Sequence, residues 1–223
     1  MSTSEIKNTE KTPLNRGSFL QNNSKSLVFI VAGIAALIVL YIGYQYLYLK
    51  PRAEKAASLM YKAEQYAAID SLQQKAITGD GSLIGLKEIA DEYSNTASAN
   101  MANAYLGGLY LRQRNFKEAI NYLERYSETG SEVLDPLIIG LLGDAYSEEK
   151  IYDKAANFYK KAAEKSTNSY TSPLFLKKLG LVYEVQNDFK NAESAYTKIL
   201  NDFPESTEAS GIEGYIARVQ AKN

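Results

Sequence analysis

The sequence predicts an all-α protein: a single N-terminal transmembrane helix followed by an α-solenoid of stacked helical hairpins. Two observations favour this fold class. Residues 27–44 are eighteen consecutive positions without a charged or strongly polar side chain. Further along the chain, a short motif returns three times with a nearly constant period. A period of about 20–50 residues is typical of solenoids, in which each unit buries its apolar face against its neighbours.

The composition excludes most enzyme classes. The 223-residue chain has no cysteine and no histidine, which removes disulfides, thiolate nucleophiles, imidazole metal ligands and Ser-His-Asp triads. A formal charge of −1 creates no field that would attract nucleic acid. No motif places a lysine beside an activated serine. We therefore expect a protein-binding or scaffolding protein rather than an enzyme, with no cofactor, no nucleic-acid partner and no small-molecule substrate.

The N-terminal part divides into a polar tail and an apolar span. Residues 1–26 are polar and cannot bury enough apolar surface to offset their ordering entropy, which predicts a flexible tail. Residues 27–49 predict a membrane-spanning helix, because about 20 helical residues cross a hydrocarbon layer of ~30 Å. A cleaved signal peptide is the alternative, but this run exceeds the usual ~7–15 apolar residues and no small-x-small cleavage pattern follows. The span should therefore remain in the lipid bilayer as an anchor.

The numbers of basic residues on the two sides of this span are equal and therefore do not decide its orientation. Four precede it and four follow it: Lys7, Lys11, Arg16 and Lys25, then Lys50, Arg52, Lys55 and Lys62. Long folded domains translocate largely regardless of charge, whereas Lys and Arg in short tails decide orientation. We therefore predict a single-pass protein with a cytoplasmic N-terminus. A cytosol-facing domain that acts as a membrane adaptor is the alternative.

The repeated motif is Leu-Gly-x-x-Tyr, which begins at Leu106, Leu142 and Leu179. Nine residues after each tyrosine stands an alanine, and four residues later a large side chain: Ala119 and Leu123, Ala155 and Tyr159, Ala192 and Tyr196. Pro204 follows the last alanine by twelve residues. This order resembles the tetratricopeptide repeat, a pair of helices. We predict three such repeats within residues 98–205.

Packing geometry explains the small residues in this motif. Two helices approach to about 8 Å only where a small side chain lies at their crossing. The glycine of the motif supplies that position on each first helix, and the alanine supplies it on each second helix. A single pair cannot bury its apolar face, so neighbouring pairs must stack.

Helical segments flank the three repeats. Residues 52–97 predict an N-terminal helical pair that acts as a degenerate repeat or cap. Its first helix, over 52–77, is nearly continuous with the membrane span, with a kink expected at Pro51, and its second, over 82–93, is shorter. Residues 206–223 predict a C-terminal capping helix, because four apolar residues recur there at helical spacing: Ala209, Ile212, Ile216 and Val219. Such a helix would cover the last apolar face of the solenoid.

Two short segments before the repeats, together with the single span, resemble the YfgM-like family. They are Tyr66-Ala67-Ala68-Ile69-Asp70 and Ile89-Ala90-Asp91-Glu92-Tyr93. The resemblance implies an ancillary component of the Sec translocon, anchored in the bacterial inner membrane with its repeats in the periplasm and linked to chaperone handover. It implies three kinds of protein partner: translocon subunits, chaperones or unfolded translocating chains. An envelope assembly scaffold for a secretion or division machine, without affinity for unfolded chains, is the alternative.

The resemblance to tetratricopeptide repeats also implies a groove, lined by the first helix of each pair, that binds peptides or helices. The matching positions are Met101, Ala104, Gly108 and Leu111; Leu137, Gly140, Asp144 and Ser147; and Leu174, Lys177, Leu181 and Glu184. Repeats that hold an acidic C-terminal tail use a clamp of Lys and Asn side chains. Here the clamp positions are apolar except for Lys178, which disfavours a co-receptor for such tails.

Three interpretations of this surface stay open at this point. A largely apolar groove would bind an extended or helical apolar segment of another protein. Alternatively, the chain itself would cover Met101, Leu111 and Leu137, with residues 52–93 or with the capping helix. A third interpretation places the interface on the convex face or at an edge of the solenoid.

Overall fold

The computed structural model describes residues 24–165 and 167–222. Within these ranges all regular secondary structure is helical, which confirms the predicted all-α fold class. The chain divides into two compact units, one that extends to Lys50 and one that begins at Pro51. The flexible tail predicted over residues 1–26 lies outside the described residues as far as residue 23.

The first unit contains the apolar helix α1, Ser24–Tyr44, which continues into a π-helical segment, Gln45–Leu49. No residue between positions 25 and 49 is buried. A helix that is apolar on all sides needs either a protein shell or lipid around it. This helix is long and apolar enough to cross a membrane, as the sequence predicts.

The π-helical segment ends two residues before Pro51. In an α-helix a proline ring collides with the carbonyl group four residues earlier, and proline has no N–H to donate. Here the Lys50 N–H bonds to the Gln45 carbonyl, five residues back. This wider turn explains how helical backbone continues up to and past the proline.

Four elements precede the repeats, all in the second unit except for the first residue of α2: α2 (Lys50–Ala67), a 3₁₀ turn (Asp70–Leu72), α3 (Gln73–Thr78) and α4 (Leu86–Glu92). The buried residues of α2 recur every three or four positions and form one helical stripe: Ala56, Met60, Ala63 and Ala67. The Arg52 guanidinium lies 5.2 Å from the Tyr93 ring centroid. This contact places the start of α2 beside the end of α4.

Both helices in this region are shorter than the sequence predicts. We expected one helix over 52–77, but α2 ends at Ala67. We expected the next helix over 82–93, but α4 begins only at Leu86. Ile69 is extended (φ −107°, ψ 116°), which interrupts the helix after Ala67, and contacts within the loop at 79–85 keep those residues out of α4.

The loop at 79–85 is held by close backbone contact and by one side chain. A Cβ on Gly85 would collide with the backbone of Gly79, so only glycine permits this approach. The Asp80 carboxylate accepts hydrogen bonds from the N–H groups of Ser82 (3.2 Å) and Leu83 (3.0 Å). These bonds satisfy loop amides that a helix would otherwise satisfy.

Three helical hairpins follow: α5 (Ala97–Arg112) with α6 (Phe116–Glu124), α7 (Leu134–Glu148) with α8 (Tyr152–Lys165), and α9 (Thr171–Val185) with α10 (Phe189–Asp202). A 3₁₀ turn (Thr207–Ala209) and α11 (Ile212–Gln220) complete the described structure. Ile212 and Val219 of α11 are fully buried. The side of α11 that carries them therefore closes the apolar core next to α10.

Small residues lie at the helix crossings. A Cβ on Gly143 would stand 2.6 Å from the ring of Tyr159 on the partner helix. The motif glycines of the first and third hairpins face Leu123 and Tyr196 in the same way. The three motif alanines on the second helices have no exposed surface: Ala119, Ala155 and Ala192. The crossings therefore have the geometry that the packing argument requires.

Each hairpin turn contains one non-glycine residue in the left-handed region at the same position of the repeat: Arg114 (φ 59°), Lys150 (φ 61°) and Asn187 (φ 59°). The next N–H then bonds to the carbonyl of the motif tyrosine, at 2.8–2.9 Å in all three turns. This bond closes the C-terminus of each first helix. The left-handed conformation costs an L-residue about 1–2 kcal/mol.

Ion pairs join successive elements of the structure. Four of them connect residues 34 positions apart: Asp91 with Arg125 (2.6 Å), Arg114 with Glu148 (4.0 Å), Asp144 with Lys178 (2.6 Å) and Glu184 with Arg218 (2.5 Å). Partly exposed pairs contribute little each, about 0–1 kcal/mol. Their recurrence nevertheless specifies how neighbouring hairpins are aligned.

A fully buried carboxylate, Asp135, ties the loop between the first two hairpins to the start of α7. It accepts hydrogen bonds from the Tyr126 hydroxyl (2.8 Å), from the Thr129 N–H and hydroxyl (both 2.9 Å) and from the Gly130 N–H (2.8 Å). Burial alone would raise the pKa of Asp135, but these bonds outweigh burial and lower it. Burial and the bond to Asp135 raise the pKa of Tyr126 to about 12.

Candidate functional site

A cavity of about 300 Å³ opens between the first helices of the first two hairpins; we call it the α5–α7 cavity. Its lining is mainly apolar: Met101, Ala104, Tyr105, Gly108, Leu109, Arg112, Leu134 and Ile138. No atom lies within 4 Å of a Cβ built on Gly108. The floor of the cavity is therefore open at this point.

Helical spacing explains why α5 can line such a cavity along its length. Met101, Tyr105, Gly108 and Arg112 follow one another at intervals of four, three and four residues, so they share one face of the helix. Ala104 and Gly108 are small, which keeps the floor low between larger side chains. Leu134 and Ile138, one turn apart on α7, form the opposite wall.

A second cavity of about 330 Å³ continues from the first. It lies between α2 and the start of α5, and its lining is Ala57, Met60, Tyr61, Glu64, Ala97, Ser98 and Met101. Met101 belongs to both cavities. Together they follow the sixteen residues of α5, a length of about 24 Å at ~1.5 Å per residue.

The charges near these cavities are few. The Arg112 guanidinium donates a long hydrogen bond, 3.4 Å, to the Ala67 carbonyl at the end of α2. Burial raises the pKa of Tyr105, and the negative charge of Glu64 raises it further. Tyr105 therefore keeps its proton and stays a hydrogen-bond donor at neutral pH. The arrangement suits apolar contact with a few polar anchors.

A model of the tetratricopeptide repeat-like domain matches residues 18–216. The chain belongs to this family. Among solved structures, the tetratricopeptide repeat-like chain resembles BtubC (BKLC) from P. vanneervenii, with 17% sequence identity and a TM-score of 0.43. That match covers 78% of this chain and 66% of the other, just under two thirds of its length. A comparison with curated proteins finds no match.

Three residues that the tetratricopeptide resemblance assigns to a groove come together in the α5–α7 cavity: Met101, Ala104 and Gly108. Three others lie outside its lining, where they are half-buried and pack against the core: Leu111, Leu137 and Leu174. Residues of α2 flank Met101. This agrees in part with the interpretation in which residues 52–93 of the chain itself cover the groove. The cavity between α5 and α7 nevertheless stays open.

In the second tetratricopeptide hairpin, two of the predicted groove residues, Gly140 and Asp144, contact neighbouring helices. A Cβ on Gly140 would collide with the Phe175 ring of α9. Asp144 accepts hydrogen bonds from the Tyr159 hydroxyl (2.7 Å) and the Lys178 ammonium (2.6 Å). Burial raises the pKa of Tyr159, and the Asp144 charge adds to it. Ser147 is half-buried.

In the third hairpin, two of the four predicted groove residues contact α11. The Lys177 ammonium lies 5.0 Å from the Tyr215 ring centroid. Glu184 accepts hydrogen bonds from the Tyr196 hydroxyl (2.7 Å) and from Arg218, and the bond from Arg218, followed by that from Tyr196, lowers the pKa of Glu184. Leu181 is 41% exposed. Leu174 packs against the core, as described above.

Sequence reasoning missed several lining residues: Tyr105, Arg112, Leu134 and Ile138 on the hairpins, and Tyr61 and Glu64 on α2. Tyr105 and Arg112 share the helical face of Met101, so helical spacing alone could have found them. No local signal identifies the α2 residues, because their position depends on how α2 packs. Within the described ranges, no group of three acidic side chains could hold a metal ion.

Proposed function

We propose that the protein is a membrane-anchored binding module whose α5–α7 cavity takes the apolar face of a helix or extended segment of another protein. The open, small-residue floor of this cavity is the observation that carries the proposal. Ala104 and Gly108 let an incoming helix approach to about 8 Å, the distance of close helix packing. Met101, Leu134 and Ile138 supply the apolar walls that an amphipathic helix needs.

The energetics favour transient binding. Burial of apolar surface contributes about 25 cal/mol per Å² before the costs of ordering and association are subtracted. A groove of two small cavities with one arginine and one glutamate offers little sequence-specific recognition. Such a surface suits many apolar segments, each held briefly.

The more specific proposal is an ancillary subunit of the Sec translocon that assists translocated proteins and their handover to chaperones. Its support is the order of one apolar anchor, a short helical region and tetratricopeptide hairpins, together with the resemblance to the YfgM-like family. The partners would be translocon subunits, chaperones or unfolded translocating chains. The protein would lie in the bacterial inner membrane, with a cytoplasmic N-terminus and a periplasmic domain.

A filled cavity tests the binding proposal. Gly108→Leu places a side chain in the open floor, and Gly214→Leu makes the same change on α11, where a Cβ also meets no atom within 4 Å. In the assay, Tyr105 of the full-length protein is replaced by a photoreactive residue. The protein is then incorporated into membranes that translocate several different polypeptide chains. We expect crosslinks to many chains, reduced about tenfold by Gly108→Leu and unchanged by Gly214→Leu.

Two other results would decide against this function. Crosslinks to one fixed partner, equal in both variants, would favour the assembly scaffold. Protease digestion of the domain from the cytoplasmic side of sealed vesicles would favour the cytosol-facing adaptor and remove the translocon proposal. A domain that is protected until detergent is added is the expected result.

A further inference from the structure

In the first two hairpins the motif tyrosine stacks on an aromatic ring from the second helix. Tyr110 lies over Tyr122, with ring centroids 5.7 Å apart and planes inclined by 13°. Tyr146 lies over Phe158 at 5.4 Å and 4°. Tyr122 and Phe158 each stand three residues after the motif alanine. Both motif tyrosines are buried as a result, 6% and 4% exposed.

The third hairpin lacks this ring. Three residues after its motif alanine stands Ala195, and Tyr183 is only half-buried. A cavity of about 230 Å³ lies beside both residues; we call it the Tyr183 cavity. Leu176 and Leu179 complete its apolar wall. The empty space therefore adjoins the position that an aromatic ring occupies in the other two hairpins.

The charge beside the motif tyrosine also differs between the second and third hairpins. In the second hairpin, Glu124 of the preceding helix accepts a hydrogen bond from the Tyr146 hydroxyl at 2.5 Å. Glu124 stands five residues after its motif alanine, and the equivalent position before the third hairpin is Lys160. Lys160 lines the Tyr183 cavity and also an adjoining one of about 450 Å³. At these two equivalent positions the third hairpin therefore has neither a ring nor a carboxylate, and Lys160 presents a cation instead.

We propose that the Tyr183 cavity binds an aromatic side chain of a partner protein that carries an acidic residue next to it. The ring would stack on Tyr183, as Phe158 stacks on Tyr146. The neighbouring carboxylate would accept hydrogen bonds from the Tyr183 hydroxyl and from Lys160. The volume is sufficient, since an apolar cavity of about 150 Å³ accommodates benzene.

The charges around the cavity favour an acidic neighbour over a basic one. The lining carries two lysines, Lys160 and Lys198, and one glutamate, Glu164. The adjoining cavity has two carboxylates that do not line the Tyr183 cavity, and one of them, Asp153, accepts a hydrogen bond from Gln186 at 2.6 Å. Asp188 there caps the N-terminus of α10. This surface shares no lining residue with the α5–α7 cavity, and the proposal does not depend on the function proposed for that cavity.

Short capped peptides test this inference on the full-length protein in lipid nanodiscs. The probe is acetyl-Glu-Phe-Glu-amide, and the controls are the Glu-Ala-Glu and Lys-Phe-Lys peptides. Methyl NMR signals of Ala195 and Leu179 report binding. We expect a saturable shift with the probe, an affinity about tenfold lower for Glu-Ala-Glu, and an intermediate one for Lys-Phe-Lys. Absence of a saturable shift, or equal affinities for all three peptides, would overturn the proposal.

Two variants separate the ring from the carboxylate. Ala195→Phe supplies the missing ring and should abolish the probe's shift of the Leu179 signal, with a melting temperature equal to or above that of the wild type. Lys160→Glu restores the charge found in the second hairpin and should weaken the probe about fivefold. Lys117→Glu, an equal charge change on α6 outside both cavities, should have no effect. If Lys160→Glu binds the probe as tightly as wild type does, or if Ala195→Phe still binds it, the assignment is wrong.

Discussion

Replacement of Gly143 by alanine tests the packing of the helical hairpins most directly. The new Cβ would lie 2.6 Å from the Tyr159 ring, whereas an ordinary contact of this kind is 3.4–4 Å. Tyr159 cannot move aside easily, because it is 4% exposed and its hydroxyl is bonded to Asp144 at 2.7 Å. The variant must therefore separate α7 from α8 or break this hydrogen bond.

Two opposing terms set the size of the effect. Overpacking of a well-packed core costs about 1–3 kcal/mol. Replacement of glycine by alanine inside a helix contributes about 0.5–1 kcal/mol in the opposite direction. We expect Gly143→Ala to lower the free energy of unfolding by about 1–2 kcal/mol. For a domain of this size that lowers the melting temperature by about 2–8 °C.

Thermal unfolding of the full chain in detergent, followed by far-UV circular dichroism, measures this change. Gly214→Ala is the matched control, since its Cβ meets nothing within 4 Å. The control should raise the free energy of unfolding by about 0.5–1 kcal/mol through helix propensity alone. If Gly143→Ala is stabilised to the same extent as the control, close approach at the motif glycine is not what limits the distance between the helices.

Three further predictions concern single side chains. Asp135→Asn should lower the free energy of unfolding by about 2 kcal/mol at pH 7, measured with urea. Hydrogen bonds hold the native pKa of Asp135 below its ordinary value of 3.8. Its contribution to the free energy of unfolding is therefore complete above pH 3.8 and is lost as the pH falls through the native pKa. If Asp135→Asn unfolds in acid just as the wild type does, this reasoning is wrong. Lys150→Gly should raise stability by about 0.5–1 kcal/mol in urea unfolding, since its left-handed φ of 61° strains an L-residue; equal or lower stability argues against strain. Arg218→Ala, which removes the bond to Glu184, should speed amide exchange in α11 about threefold and leave α5 unchanged; uniform acceleration would show that α11 does not open on its own.

The hairpins were predictable because their signals are local. Leu-Gly-x-x-Tyr followed by alanine describes contacts within one pair of helices, and such contacts recur at fixed spacing. The long apolar helix α1 was predictable because length and hydropathy suffice to identify it. The loop at 79–85 was not, because the approach of Gly85 to Gly79 and the bonds to Asp80 arise only after the chain has turned back. The hydrophobic periodicity of the sequence cannot predict such contacts.

The candidate groove was predictable only in its first hairpin. Met101 and Gly108 lie in the cavity, and the position of each residue in the repeat was enough to indicate this. Asp144 and Glu184 are engaged by Lys178 and Arg218. Lys178 lies on the next hairpin and Arg218 on α11, so the pattern of a single repeat cannot reveal either partner. The contribution of α2 was missed for a similar reason, since α2 lacks the motif.

The ion pairs between successive elements affect how the chain folds during synthesis. Asp91–Arg125, Asp144–Lys178 and Glu184–Arg218 each close over 34 residues, and the Asp135 carboxylate closes over nine or fewer. Contacts of such short sequence separation form quickly, and domains that emerge N-terminus first fold as units during synthesis. A nascent chain that leaves a ribosome or a membrane pore can therefore fasten each new element to the one before it as it emerges, without waiting for its C-terminus.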